Sequence, residues 1–307
     1  MELRHLRYFV AVAEELHFQR AAKRLHIEQS PLSRAIKDLE NQLGVKLLER
    51  TTRCTAMTKA GQVFLHEARR ILASVDHAKS AIQSSAMGYS RQLQIAITPG
   101  IPLQRLSRLI AKQRQHDEDI DIKLFEMDTV RIQQAVINQE IDVGLALFTP
   151  DDPRIEASSL WHDYLLAMLP AQHRLATSEV ITMADLIPYP LVLPAARGAN
   201  SVHCHLQRLL KHTHGTANVL QLTDSFSLTQ TLVAAGLGIG FATTAQVRGH
   251  ERDDVLVKRL DGQVPTMITY MLHHAHALPE VVLPFLKLLE EDDSTYEESV
   301  RQQRISF

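Results

Sequence analysis

Gln29, Ser30, Ser33, Arg34 and Lys37 are polar side chains that share one face if the chain there is helical. Arg forks onto the O6 and N7 edge of guanine and Gln onto adenine, while Ser and Lys hold phosphates. Arg50 and Arg53 follow in a short basic stretch. A second set of residues lies in loops. Thr98, Pro99, Gly100, Thr129, Asn200 and Ser201 stand where helices begin, and free N–H groups there favour a carboxylate. Arg197 can pair such a charge, and Phe148 and Phe241 can form an apolar wall. A third set is histidine, sixteen in all, including the close pairs His203/His205, His212/His214 and His274/His276.

The histidine pairs are weak metal sites. A helix turns residues i and i+2 to roughly opposite faces, so His203 and His205 cannot chelate one ion from a regular helix. No metal or cofactor is expected. Enzyme motifs are missing too. There is no GxSxG, Walker loop, HExxH, or GxGxxG opening a first βαβ unit. Gly236-Leu237-Gly238-Ile239-Gly240 falls between a helix and a strand, the wrong order for a dinucleotide loop. The expectation is a binding protein and not an enzyme.

The elements that must position the first set are legible. Leu3, Leu6, Phe9, Val10, Ala13 and Leu16 recur at helical spacing. A second short helix fits residues 18–25, with Ala21, Ala22 and Leu25 inward. After a polar turn, Pro31 suits the first turn of a third helix, whose inward positions are Leu32, Ile36, Leu39 and Leu43 and whose stop is Gly44. This is helix–turn–helix spacing. Taken alone it also fits the solvated face of a plain three-helix bundle. The next stretch favours DNA, because residues 45–50 and 57–58 read as two short strands around a basic hairpin, a wing for the minor groove or backbone.

The run from Leu16-His17-Phe18 through Ala21-Ala22, Gln29, Leu32-Ser33-Arg34, Leu39-Glu40, Leu43-Gly44-Val45 and Leu47-Leu48-Glu49-Arg50 to Thr58 and Ala60-Gly61 resembles the LysR-type transcriptional regulators. Where that family usually has Pro directly after the Gln, this chain has Ser30 and then Pro31. The nearest flavour is the regulators of aromatic-acid catabolism. The resemblance implies a winged helix–turn–helix with Gln29, Ser30, Ser33, Arg34, Lys37, Arg50 and Arg53 at or near double-stranded DNA. It also implies RNA polymerase as a further partner.

From residue 58 to about 88 the chain reads as one long helix. Phe64, Ala68, Ile71, Val75, Ala78 and Ile82 are spaced 4, 3, 4, 3, 4, a heptad seam. Such a seam packs either on the chain's own body or on a second copy. The resemblance favours a dimer, with tetramers formed through the rest of the chain.

Beyond Gly88-Tyr89-Ser90 strands and helices alternate, which points to βαβ units on a parallel sheet. About 215 residues is large for one sheet. Two α/β lobes joined by two crossings, near residues 150–160 and 262–266, fit better. The expected organisation is a DNA-binding head at 1–58, a linker helix and hinge at 59–90, and an effector domain at 91–307. Lobe I would take 91–160 and 267–295, and lobe II 161–266. The Val233-Ala234-Ala235-Gly236-Leu237-Gly238-Ile239 run strengthens the resemblance, which implies a periplasmic-binding-protein-like body with a small inducer in its cleft. Ligands in such sheets sit beyond the carboxyl ends of strands, so the three loops above would face one another across it. A small anionic inducer follows from their chemistry.

The charge distribution agrees. The chain's net charge is −2. Residues 1–91 hold 15 Lys and Arg against 9 Asp and Glu, a net of +6, and the remainder holds 18 against 26, a net of −8. Two cysteines, scattered charges at the N-terminus and no long apolar run lead to the expectation of a cytoplasmic protein away from membranes. An α/β enzyme or a solute-binding protein with an accessory helical head is the alternative.

Overall fold

A computed structural model describes residues 1–50, 55–178, 181–195, 202–213, 216–247, 252–261, 266–276 and 282–283, with backbone alone at Arg50 and His212. Its contacts divide the chain into two units, residues 1–88 with 137–140, and residues 89–136 with 141–307.

The first unit opens with three helices, α1 (Leu3–Glu15), α2 (Phe18–Arg24) and α3 (Gln29–Leu43). Their apolar faces meet in one core of Phe9, Val12, Ala21, Ala22, Leu32, Ile36 and Leu39. The small Ala21 and Ala22 let the helices approach closely, as their size requires. Pro31 sits third in α3, where its missing N–H has no intrahelical partner. Gly44, at φ +70, ends the helix in the left-handed region. Strands β1 (Leu48–Arg50) and β2 (Thr55–Met57) then pair antiparallel, three residues later than the sequence placed the first strand.

Helix α4 (Lys59–Ala86) follows. The Thr58 hydroxyl accepts from the Gly61 amide and donates to the Lys46 carbonyl, joining the helix start to the foot of the wing. Gly61 is required there, because a Cβ would lie 2.1 Å from the Leu47 carbonyl oxygen. The heptad seam divides. Phe64 packs edge-on to Phe9 at 5.1 Å and Ala68 is buried, so the first turns belong to the head. Ile71 is 38% exposed and Ile82 71% exposed.

The second unit begins with β3 (Arg91–Ile97), α5 (Leu103–His116), β4 (Ile120–Glu126), α6 (Thr129–Ile137) and β5 (Val143–Ala146). Strands β4 and β5 flank β3 in parallel. Strand β6 (Ile155–Pro170) runs where the sequence suggested a Pro- and Asp-rich crossing loop. Its first part pairs antiparallel with β11 (Thr266–His274), which also pairs antiparallel with β5. Its last part pairs antiparallel with β10 (Val255–Arg259) and β9 (Gly240–Thr243). One strand therefore serves both lobes, and the sheets are mixed where a parallel sheet was expected. After β6 come the short α7 (Met183–Leu186), then β7 (Leu191–Pro194), α8 (Val202–His212), β8 (Val219–Thr223), α9 (Phe226–Ala234), β9 and α10 (Thr244–Val247). Strands β7 and β8 are parallel. Lobe I is built on Leu93, Ile95, Leu109, Val143, Trp161 and Met271. Lobe II is built on Leu165, Leu169, Leu191, Leu206 and Phe241.

At the lobe junction β6 carries a buried carboxylate. Asp163 accepts from the Arg105 guanidinium of α5 at 3.3 Å, and from the Thr244 hydroxyl at 2.8 Å and the Ala245 amide at 3.1 Å. Both charged side chains are 3% exposed. Arg105 also lies 5.7 Å over the Trp161 ring. Three elements from both lobes are thus tied to one carboxylate.

Candidate DNA-reading face and effector cleft

Two features of the structure can bind partners. The first is the outer face of α3. Gln29, Ser30, Arg34 and Lys37 are exposed and Ser33 is half-buried, while Leu32, Ile36 and Leu39 on the opposite face are buried completely. Among the described residues Arg34 and Lys37 have no ion-pair partner. Neighbouring cations of the head differ. Arg24 pairs with Glu14 at 2.7 Å, Arg69 of α4 with the same Glu14 at 2.6 Å, and Lys46 with Glu40 at 2.9 Å. Arg50 closes β1, and Arg53 lies outside the described residues.

Sequence reasoning missed Glu40. It points inward from α3 and its carboxylate accepts from the Leu47 and Leu48 amides at 3.0 and 3.1 Å as well as from Lys46. Burial alone would raise its carboxyl, but the Lys46 and backbone hydrogen bonds outweigh burial and hold it below the ordinary value. One side chain therefore fixes the wing's first strand to the reading helix. The available signal was a charge on an inward helical position, four residues after Ile36.

The second feature is a cleft of about 360 Å³ between the lobes of the body, a volume suited to a small molecule. Thr98, Pro99, Gly100 and Phe241 line it, as the sequence proposed. Thr129 and Phe148 do not. Thr129 opens α6 away from the wall, and Phe148 is buried in the protein. Arg197, Asn200 and Ser201 lie outside the described residues. The wall adds residues that the sequence did not single out, among them Gln104, Glu126, His203, Asp224, Ser225 and Gln246. Strands β3, β7 and β8, each parallel to a neighbour, end here, so α5, α8 and α9 start at the cleft. The start of α5 has no side-chain cap, which leaves its first amides for a ligand. Thr98 is nearly buried, and its hydroxyl has no hydrogen-bond partner among the described residues. An unmet buried hydroxyl costs about 1–3 kcal/mol, which a ligand acceptor can recover.

Histidines distribute without a metal cluster among the described residues. His203 is buried and bonds the Pro194 carbonyl, whereas the His274 and His276 rings pack on each other at 6.1 Å. No described helix is long and apolar enough to cross a membrane.

Known proteins match both features. Residues 3–62 match the model of bacterial regulatory helix–turn–helix proteins of the lysR family, and residues 87–294 match the LysR substrate binding domain. The uncharacterized HTH-type transcriptional regulator YnfL of Escherichia coli is 35% identical over 277 residues, covering 89% of this chain and 93% of that protein. The Hca operon transcriptional activator HcaR of the same organism is 31% identical, covering 95% and 98%. The crystal structure of full-length CbnR with its target DNA superposes with a TM-score of 0.64 at 26% identity, covering 95% of this chain and 100% of that one. The chain belongs to the LysR family of DNA-binding transcriptional regulators, with a helix–turn–helix head and an effector-binding body.

Proposed function

We propose that this regulator reads its operator with Gln29, Ser30, Ser33, Arg34 and Lys37 of α3 in the major groove, with Arg50 and Arg53 of the wing at the adjacent backbone or minor groove. The observation that carries this reading is the outward stripe on α3 with its two cations unpaired among the described residues, backed by an inner face of buried Leu32, Ile36 and Leu39. Two copies pair along the outer part of α4 through Ile71, Val75, Ala78 and Ile82, which sets two heads on half-sites. Tetramers, contact with RNA polymerase and a cytoplasmic location complete the proposal. The cleft takes a small anionic effector, held by the first turns of α5 and α9 and by Thr98, Pro99 and Gly100, with Phe241 against its apolar side. Arg197, Asn200 and Ser201, which precede α8 in the sequence, are proposed as further effector contacts on their chemistry alone. An effector shifts the regulator only by binding one arrangement of the lobes better than another.

The test is binding of the purified full chain to DNA flanking its own gene. Lys37→Ala should weaken all sequences alike and reduce the slope of log K against log salt by about one. An unchanged slope would remove Lys37 from the phosphate contacts.

A further inference from the structure

The geometry points to His203 as the residue that reads the acid end of the effector, its ring taking up a proton at Nε2 as a carboxylate binds. This rests on the cleft being the effector site. His203 stands in the first turn of α8, is 7% exposed, and lines the cleft. Its Nδ1 lies 2.7 Å from the Pro194 carbonyl oxygen. A carbonyl only accepts, so Nδ1 carries a hydrogen and donates it. That fixes the ring and leaves Nε2 as its other polar atom. In the neutral ring Nε2 is an acceptor and repels a carboxylate. Protonated, it becomes a charge-assisted donor.

The wall makes this choice consequential. Among the described lining residues there is no Lys and no Arg, and the ionisable groups are Glu126, Asp224 and His203. His203 is the one side chain of that described wall that can present positive charge to an anion. Glu126 and Asp224 are the other two ionisable lining residues, and both are carboxylates. Strand β7, on which α8 packs, carries no titratable group, and α8 itself carries Cys204, His205 and Arg208 as its next titratable residues. Imidazole changes charge between about pH 5 and 8, so effector affinity follows the acidity of the surroundings. The proton comes from solvent.

The experiment is calorimetric titration of the full chain with benzoate, phenylacetate and adipate, and with neutral benzamide, from pH 6 to pH 8. For the carboxylates, Kd should rise towards about tenfold per pH unit as the ring loses its proton, and the heat should depend on the buffer's ionisation enthalpy. Benzamide should show no such slope. His203→Asn keeps a donor for the Pro194 carbonyl but lacks Nε2, and should bind carboxylates about tenfold more weakly at pH 6, independent of pH. His203→Gln is the second variant and should behave alike. Carboxylate binding that is flat with pH and equal in wild type and both variants would overturn the proposal, with the cleft still the effector site. If no carboxylate binds, or if Ser227→Trp at the wall leaves binding unchanged, the cleft assignment fails and the proposal falls with it.

Discussion

Single residues of the head divide between those exposed on the outer face of α3 and those that hold that face in place. Arg34 is of the first kind, and if it reads a base as proposed, Arg34→Ala should cost about 1–3 kcal/mol of discrimination at one base pair, read by competition between operator variants. Glu40 belongs to the second. Glu40→Ala leaves the Leu47 and Leu48 amides without their acceptor and should destabilise the head by about 2–3 kcal/mol in chemical denaturation. Its lowered carboxyl gives the sign of a pH effect. The stabilisation is present above the unfolded carboxylate range, near pH 4.3, and is lost as pH falls through the lower folded value. Acid unfolding of Glu40→Gln should therefore lack that component. The polar stripe on α3 was legible because helical spacing alone sorts outward from inward positions. The role of Glu40 was not, because its partners are backbone amides seven and eight residues along, and spacing carries no information about where a wing docks.

At the scale of elements, the helices of the head and the long α4 follow their periodicity closely, since each must bury one apolar stripe. The crossing between lobes did not. Residues 156–159, Glu-Ala-Ser-Ser, are all exposed and lack the alternation of a half-buried strand, so they resemble a loop, while pairing with β11 makes them strand. The parallel expectation held for β3 with β4 and β5 and for β7 with β8, but β6 and β11 are brought together antiparallel by distant pairing and not by a local βαβ unit. The Asp163 cluster was equally hidden, drawing on residues 58 and 82 positions away. Removing one partner of a buried pair is costly, so Asp163→Ala should destabilise the body by about 3–5 kcal/mol, measured by thermal unfolding. The cleft was partly legible. Strand ends pointed to Thr98–Gly100, which line the cleft, but nothing in the spacing linked Asp224 and Ser225 at the start of α9 to it.

For the molecule as a whole, the near-neutral total conceals a basic head and an acidic body, which fits a chain that brings one part to a polyanion and keeps the other from it. If two copies pair along α4 as proposed, Ile71→Glu with Ile82→Glu should shift sedimentation from dimer or larger species towards monomer, since both side chains are exposed in the single chain. The most direct test of the central claim, that α3 is the operator-reading element, joins two readings on one variant. Ser33→Ala with Arg34→Ala is compared with wild type for fluorescence anisotropy on DNA flanking its gene, and for oligomer mass by sedimentation. The account predicts loss of sequence-specific binding, with only salt-sensitive non-specific binding left and the mass unchanged. Specific binding retained at wild-type affinity by the folded variant would contradict it.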